Sequence, residues 1–465
     1  MKRRNFIKKS ALATAAFGIP TLVPASVFGK NAPSNQIQVG QIGCGRIARD
    51  HDLPGVFRHA QARVIAAADL DSNRVELGKK FIEDHYSKKM GSPYLDVKTY
   101  TDYRDLLQNK EIDAVVISTP DHWHSQPAME AALAGKHVYL QKPTSLTIKE
   151  GRQLVQVVEK TGVKLQLGTQ QRSSEQFRLA AELVRNGRIG TLHTVRVGLP
   201  GDPPGPDAPA MPIPANLNFD MWLGSTPEIP YSEIGVHPQQ DFSRPGWLRH
   251  ENYGAGMITG WGQHHFDSAA WGMDTEFTGP TSIEAVAEFP RAGFWNVHGD
   301  FMVKATYANG VDMYCSGNYP NGIRYEGTEG WIWVSRGSYV ASTSDPVAQG
   351  NNAKALDASD PKLLLSLIGE NEIKFTKSSS HHGNWLEAIQ GNAELLSPVE
   401  IGHRACSVCL LSHIAMKLGR KLNWDPTREE FVGDAEANAY LSRTQRGPWG
   451  TDKVFASSKL MSSIF

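Results

Sequence analysis

The sequence predicts an α/β chain: an N-terminal parallel sheet wrapped by helices, then an α+β half built on a large, mostly antiparallel open sheet. Three observations predict it. Short β-branched apolar runs alternate with amphipathic helical stretches from about residue 36 to residue 149. A glycine turn joins the first of those runs to the first helical stretch. From residue 191 onward, strand patterns follow one another directly, separated by turn residues. A chain of 465 residues also exceeds what one hydrophobic core supports, so two unlike domains are expected.

In the first half, strands are expected at 37–42, 63–68, 114–118 and 137–141, each a short run rich in Val, Ile and Ala. Helices are expected between them at 46–59, 72–85, 103–108 and 125–134, where apolar residues recur at helical spacing. Strand, helix, strand in this order requires right-handed crossovers and hence a parallel sheet. A helix at 148–161 leads to a strand at 164–167. Strands follow at 191–198, 282–288, 300–307, 312–317, 322–327 and 330–335, and helices at 382–390 and 402–418 close the pattern. Residues 199–250, rich in Pro, Gly and Trp, read as an ordered but irregular insertion. The expected domains are residues 35–165, residues 166–425 with C-terminal helices available to pack back on the first, and a tail at 426–465.

Residues 1–30 stand apart from the fold. Lys2-Arg3-Arg4-Asn5-Phe6-Ile7-Lys8 is a basic segment with paired arginines, followed by an Ala-rich apolar stretch at 11–23 and small residues near Ala25 and Gly29. That stretch is short for a bilayer of ~30 Å, and paired arginines in this setting mark the twin-arginine export route. The expectation is export by the twin-arginine translocase to the periplasm, with the signal removed or kept as a tether. No later segment reaches membrane-spanning length.

Gly43-Cys44-Gly45-Arg46-Ile47-Ala48 follows the strand at 37–42 and opens a helix, the placement a Rossmann dinucleotide-binding turn needs. The first glycine permits the tight turn, the second admits the pyrophosphate, and the helix N-terminus supplies N–H groups. About twenty residues on, the next strand ends in Asp69, a carboxylate suited to ribose hydroxyls and repellent to a 2′-phosphate. The expected cofactor is NAD. Ser118-Thr119-Pro120-Asp121-His122-Trp123-His124 and Leu140-Gln141-Lys142-Pro143 end the next two strands, where parallel sheets bind ligands.

These blocks, with Gly168-Thr169-Gln170, Trp261-Gly262-Gln263-His264-His265 and the ending Leu418-Gly419-Arg420-Lys421-Leu422-Asn423-Trp424-Asp425-Pro426, resemble the glucose–fructose oxidoreductase/inositol dehydrogenase (Gfo/Idh/MocA) superfamily, in particular its exported branch. The resemblance covers nearly the whole mature chain. It implies a substrate-orienting Lys142 and a general base at His264. An imidazole suits removal of a hydroxyl proton as hydride leaves carbon, and a lysine can hydrogen-bond the developing alkoxide. It also implies cofactor contacts from Gly43, Gly45, Arg46, Ile47, Asp69, Ser118, Thr119, Pro120, His122, His124, Gln141, Lys142 and Gln170. Two positions depart from the family pattern: Gln141 replaces the usual Glu before Lys-Pro, and Gly260 stands where an Asp often precedes the histidine.

Eleven tryptophans, Trp123, Trp222, Trp247 and Trp261 among them, suit stacking on a sugar ring, while Arg172, Arg249, Tyr253 and His265 are expected to bind substrate hydroxyls. The expected reaction is oxidation of a ring hydroxyl, C3 of a glucoside for instance, of a sugar, glycoside or cyclitol by tightly bound NAD. A redox-assisted glycoside hydrolase that oxidises C3 transiently is the first alternative, and a non-catalytic sugar or dinucleotide-binding protein the second. Lys plus Arg and Asp plus Glu balance at 48 each, which disfavours nucleic acid and anionic membrane as partners. The superfamily implies a homo-oligomer, dimer or tetramer. Four cysteines, with Cys406 and Cys409 on one helix face, read as core residues. The His264-His265-x-Asp267 group lacks metal-ligand spacing, and no metal is expected.

Overall fold

The computed structural model describes residues 36–338 and 354–458; the predicted export signal lies outside them. Its first sheet has six parallel strands in the order β3-β2-β1-β4-β5-β6: β1 Ile37–Ile42, β2 Ala62–Ala68, β3 Lys98–Tyr100, β4 Ala114–Ile117, β5 His137–Leu140 and β6 Leu165–Leu167. Burial on both faces explains the unbroken apolar run of the central strand β4, whereas the edge strand β3, Lys-Thr-Tyr, is partly exposed. Strand order reverses between β1 and β4, and this opens a crevice beyond their C-terminal ends. Helices that cover this sheet include α1 Ser72–Met90, α2 Ser125–Leu133 and α3 Ile148–Thr161. Helix α1 outruns its predicted end because the chain stops only at Gly91, whose φ of 70° suits a left-handed cap.

The helix after β1 is irregular, with a π-helical turn at Ala48–Asp52 before Leu53–Phe57. Pro54 lacks the N–H that would bond the preceding turn, which accounts for the local widening. The wider turn aims Asp52 into the protein while His51 reaches the crevice.

The second sheet has nine strands in the order β13-β12-β11-β7-β10-β9-β8-β14-β15. They are β7 Leu192–Gly198, β8 Ser282–Ala287, β9 Phe301–Thr306, β10 Asp312–Ser316, β11 Gly322–Gly327, β12 Gly330–Val334, β13 Leu356–Ala358, β14 Leu422–Asp425 and β15 Glu430–Phe431. Its pairings are antiparallel except β7 with β10. Behind it lie α4 Glu175–Arg185, α5 Gly262–Met273 and α7 Val399–Leu418; α6 His381–Ile389 packs instead against the parallel sheet. Helix α7 touches both α5 and α3 and so bridges the two halves, whose buried apolar residues form separate clusters, one on the second sheet and two on the parallel sheet. The segment predicted as a tail contains a helix, Thr451–Ser457, seated on α2 and α3.

All four cysteines are free and buried, as small core residues. Among the described residues, no helix is long and apolar enough to cross a membrane.

Candidate active-site cleft

One open cleft runs from the glycine turn to the N-terminus of α5. Gly43 begins it with φ 84°, and a Cβ there would lie 2.7 Å from the Ser118 carbonyl oxygen. Only glycine fits that approach of β1 to β4. A Cβ at Gly45 would meet nothing, so the turn leaves open space at a helix N-terminus, as a pyrophosphate requires. Asp69 ends β2 and accepts from the Cys44 N–H at 2.7 Å and the Asp71 N–H at 2.9 Å. These bonds fix a carboxylate that still has lone pairs for ribose hydroxyls. The residues present therefore fit a dinucleotide.

Gly43, Gly45, Arg46, Ile47 and Asp69 line this end of the cleft. Ser118, Thr119, Pro120 and His124 line its middle, and Gln141, Lys142, Gln170 and His264 lie toward the far end. Trp123, Trp222, Trp247 and Trp261 form its aromatic wall. The Lys142 Nζ donates to the Gly260 carbonyl oxygen at 2.5 Å, which fixes the lysine against the start of α5.

Gln141 has a partner the sequence did not disclose. Its Nε2 donates to Asp52 Oδ1 at 2.7 Å, while Ser118 Oγ donates to Asp52 Oδ2 at 2.6 Å. His382, from α6, approaches the same carboxylate at 3.1 Å. Burial works to raise the Asp52 pKa, but the bonds from His382 and Ser118 and the nearby His51 outweigh it, and the carboxylate stays ionised. A Glu at position 141 would face Asp52 with like charge, so Gln is the side chain that fits. His51, Asp52 and His382 bring ligand atoms within 4.8 Å of one another, yet protein donors already occupy the Asp52 oxygens.

Five expected ligand residues lie outside the cleft lining, and each has a structural partner instead. His122 turns away to the Trp222 carbonyl oxygen at 2.8 Å, and burial lowers its pKa to about 3. Arg172 forms a bidentate pair with Asp267, at 2.7 and 2.9 Å, and a further one with Glu276 at 2.7 Å. Arg249 donates to Asp202 at 2.9 Å, and Asp202 in turn holds the Met257 N–H, so the pair braces the chain entering α5. Tyr253 is buried between Trp222 and His250. His265 accepts from Trp261 Nε1 at 3.0 Å and faces away from the cleft, as adjacent residues on a helix must.

His264 is buried at the cleft, and its Nδ1 has no hydrogen-bond partner among the described residues. Burial first, then the charges of Arg336 and Lys142, push its pKa well below 6.5. The ring is neutral.

Sequence reasoning missed a strap across the cofactor end. His237, Phe242 and Arg244, from the 199–250 insertion, line the cleft opposite the glycine turn. Several contacts tie the strap to the parallel-sheet side. His237 Nε2 lies 2.9 Å from Asp71 Oδ2, Arg74 donates to the Asp241 carbonyl oxygen at 2.6 Å, and Phe242 sits between the guanidinium groups of Arg49 and Arg74, 4.6 and 4.0 Å from its ring centre. Burial opposes ionisation of Asp71, but His237 and Asn216 outweigh it and lower its pKa to about 2. The Pro/Gly/Trp-rich composition marked an ordered loop but not where it docks.

Comparison with known proteins follows the same division. Residues 37–169 match the family described as oxidoreductase, NAD-binding Rossmann fold, and residues 206–357 and 368–451 match its C-terminal alpha/beta domain. A glycosyl hydrolase family 109 protein of Shewanella baltica (strain OS185) is 30% identical over 207 residues, 41% of this chain and 44% of the relative. The myo-inositol 2-dehydrogenase of Thermotoga maritima is 28% identical over 187 residues, 40% and 52% of the two chains. The chain spans about half the length of the curated relatives it matches. In fold, the WlbA dehydrogenase from Bordetella pertussis, solved with NADH and UDP-GlcNAcA, is similar at a TM-score of 0.58 and 16% identity, over 84% of this chain and 99% of that one.

Proposed function

Because the chain belongs to the Gfo/Idh/MocA oxidoreductase family, we propose that it oxidises a ring hydroxyl of a sugar or glycoside with NAD held tightly in the cleft. The observation that carries this reading is the placement of Lys142 and His264 in one tryptophan-walled cleft whose other end is a dinucleotide turn. NAD, when bound, accepts the hydride. Lys142 donates a hydrogen bond to the hydroxyl oxygen and strengthens it as negative charge develops. Neutral His264 accepts the hydroxyl hydrogen bond and orients it. The tryptophan wall offers flat apolar faces to the C–H side of a sugar ring and excludes water.

The test is direct. Purified protein is incubated with a panel of glycosides and cyclitols while nicotinamide absorbance and product mass are followed. Accumulation of a keto-sugar with reduced nicotinamide supports the proposal; no redox change with any of them overturns it. The glycosyl hydrolase name of a relative favours a second reading, in which C3 is oxidised transiently and the aglycone eliminated. Hydrolysis without net reduction would select it.

Asp69 favours NAD over NADP in this proposal. Asp69→Ala is expected to weaken NAD binding about tenfold and to narrow the preference over NADP, measured by titration of both nucleotides. Equal preference in the unaltered protein would refute the assignment.

Tight retention rests on the strap. Each strap contact contributes about 0.5–1 kcal/mol, so removing the His237 and Phe242 contacts together corresponds to about a tenfold faster loss of NAD. The variant His237→Ala/Phe242→Ala should emerge from desalting with less NAD than the unaltered protein; equal retention would count against the strap. Retained NAD must be re-oxidised in place, by a second substrate or the reverse half-reaction. Export to the periplasm, proposed from Arg3-Arg4 and the apolar stretch, is checked by cell fractionation. Assembly as a dimer or tetramer, proposed from the family, is checked by light scattering.

A further inference from the structure

The described lining of the cleft holds five lysine and arginine side chains against two carboxylates, Asp69 and Asp121. That surplus is larger than a bound pyrophosphate neutralises. Arg46 belongs to the glycine turn, Arg74 and Arg244 to the contacts at the strap, and Lys142 to the reacting end. Arg336 belongs to none of them.

Arg336 follows β12, two residues past Val334, and is half-buried where it lines the cleft. Its guanidinium carbon lies 4.6 Å from the centre of the Trp261 ring, and the His264 ring lies 6.0 Å from the same indole. Gln171, only 1% exposed, joins the two residues. Trp261 Nε1 can only donate, so His265 Nε2 accepts from it and His265 Nδ1 carries the ring proton. That proton requires an acceptor, which turns the Gln171 amide oxygen toward His265 at 3.3 Å; the same oxygen accepts from Arg336 Nε at 3.3 Å. The amide nitrogen then donates to the His264 carbonyl oxygen at 2.8 Å and to Ser268 Oγ at 2.9 Å. A ring stack and a hydrogen bond from a buried amide thus hold the guanidinium, which lowers the rotamer entropy it loses when a ligand binds.

We propose that Arg336 binds a carboxylate on the substrate, and that the ligand of this cleft is a sugar acid, a hexuronate or its glycoside. This names the substrate class of the dehydrogenase proposed above and rests on that reading. The planar guanidinium fork matches a carboxylate with two parallel hydrogen bonds. The surroundings favour a carboxylate over a phosphate: Trp247 and Trp261 line the cleft beside it, and such a wall cannot replace the hydration of a dianion. Because Arg336 and His264 flank one indole, one sugar residue meets both. Lys142 takes the reacting hydroxyl and Arg336 the acid group, so the ring is fixed at two points and only one hydroxyl is presented to the nicotinamide. An uncharged sugar brings no counter-charge to this half of the cleft.

The experiment is calorimetric titration of the NAD-loaded full chain, near neutral pH, with methyl hexuronides, the matching neutral methyl hexosides and hexose 6-phosphates. The best uronide is expected to bind about 10–100-fold more tightly than its neutral counterpart. Arg336→Met should lower uronide affinity by about the same factor and neutral-sugar affinity far less, while Arg336→Lys keeps the charge without the fork and should restore part of the loss. An arginine with a merely structural role would lower both affinities together, and that result overturns the proposal. Equal affinity for acid and neutral sugars in the unaltered protein overturns it without any variant, and tighter binding of a 6-phosphate overturns the choice of carboxylate. Binding is read apart from turnover, so the two readings fail separately. Arg336-dependent uronide binding with no change in nicotinamide absorbance supports the carboxylate site and refutes the dehydrogenase; oxidation of neutral sugars alone does the reverse.

Discussion

Replacing Lys142 by methionine is expected to lower the rate constant for hydride transfer by about 10³-fold, with NAD still bound and the fold intact. Methionine keeps much of the length and apolar bulk of the side chain but donates no hydrogen bond. The substrate oxygen then loses the donor that strengthens as its charge grows. Because Nζ is fixed against the Gly260 carbonyl oxygen at 2.5 Å, the lysine is preorganised, and its loss should fall on kcat rather than KM. Lys142→Arg should not rescue the rate, since a guanidinium is bulkier, planar and does not give up its proton. The check is single-turnover reduction of bound nicotinamide with the best substrate of the panel. A Lys142→Met rate within about tenfold of the unaltered protein would remove the lysine from the mechanism.

Replacing Arg172 by alanine is expected to destabilise the protein by about 3–5 kcal/mol and to leave KM of whatever folds unchanged. Arg172 is 4% exposed and Asp267 not exposed at all, so truncating the arginine leaves a buried carboxylate with no counter-ion. The guanidinium also stacks 5.0 Å above the Trp271 ring, and that packing goes with it. Removing both partners, as Arg172→Met with Asp267→Leu, should recover part of the loss because no charge is stranded. Urea or thermal unfolding of the three variants measures this. A stable Arg172→Ala protein with a raised KM would return the arginine to the substrate site.

Much of the architecture was legible in the sequence. Strand and helix follow from apolar period, the glycine turn from a left-handed position at Gly43, and the cleft from the rule that parallel sheets bind ligands beyond their carboxyl ends. Lys142 and His264 were expected from the family resemblance, and both line the cleft. Arg172, Arg249, Tyr253, His122 and His265 lie outside the cleft lining where the sequence led one to expect them, because a polar side chain near a motif looks the same whether it faces a ligand or an internal partner. Asp121 lay within a quoted motif but carried no local sign that it would be buried. Its burial depends on Thr259 and Gly254, contributed from far along the chain.

Local pattern along the chain was enough for the two-sheet α/β plan, the expected dinucleotide turn with Asp69, and the segments whose ends meet at the cleft. Those features depend on neighbours a few residues apart, through backbone torsion and apolar period. Which charges are partnered became legible in the folded protein alone. The Asp52 carboxylate meets His382 across 330 residues, the insertion closes over the turn through His237 and Phe242, and Arg172 is neutralised by Asp267 and Glu276. Desolvation and pairing energies arise where distant segments exclude water together, and no local pattern encodes them.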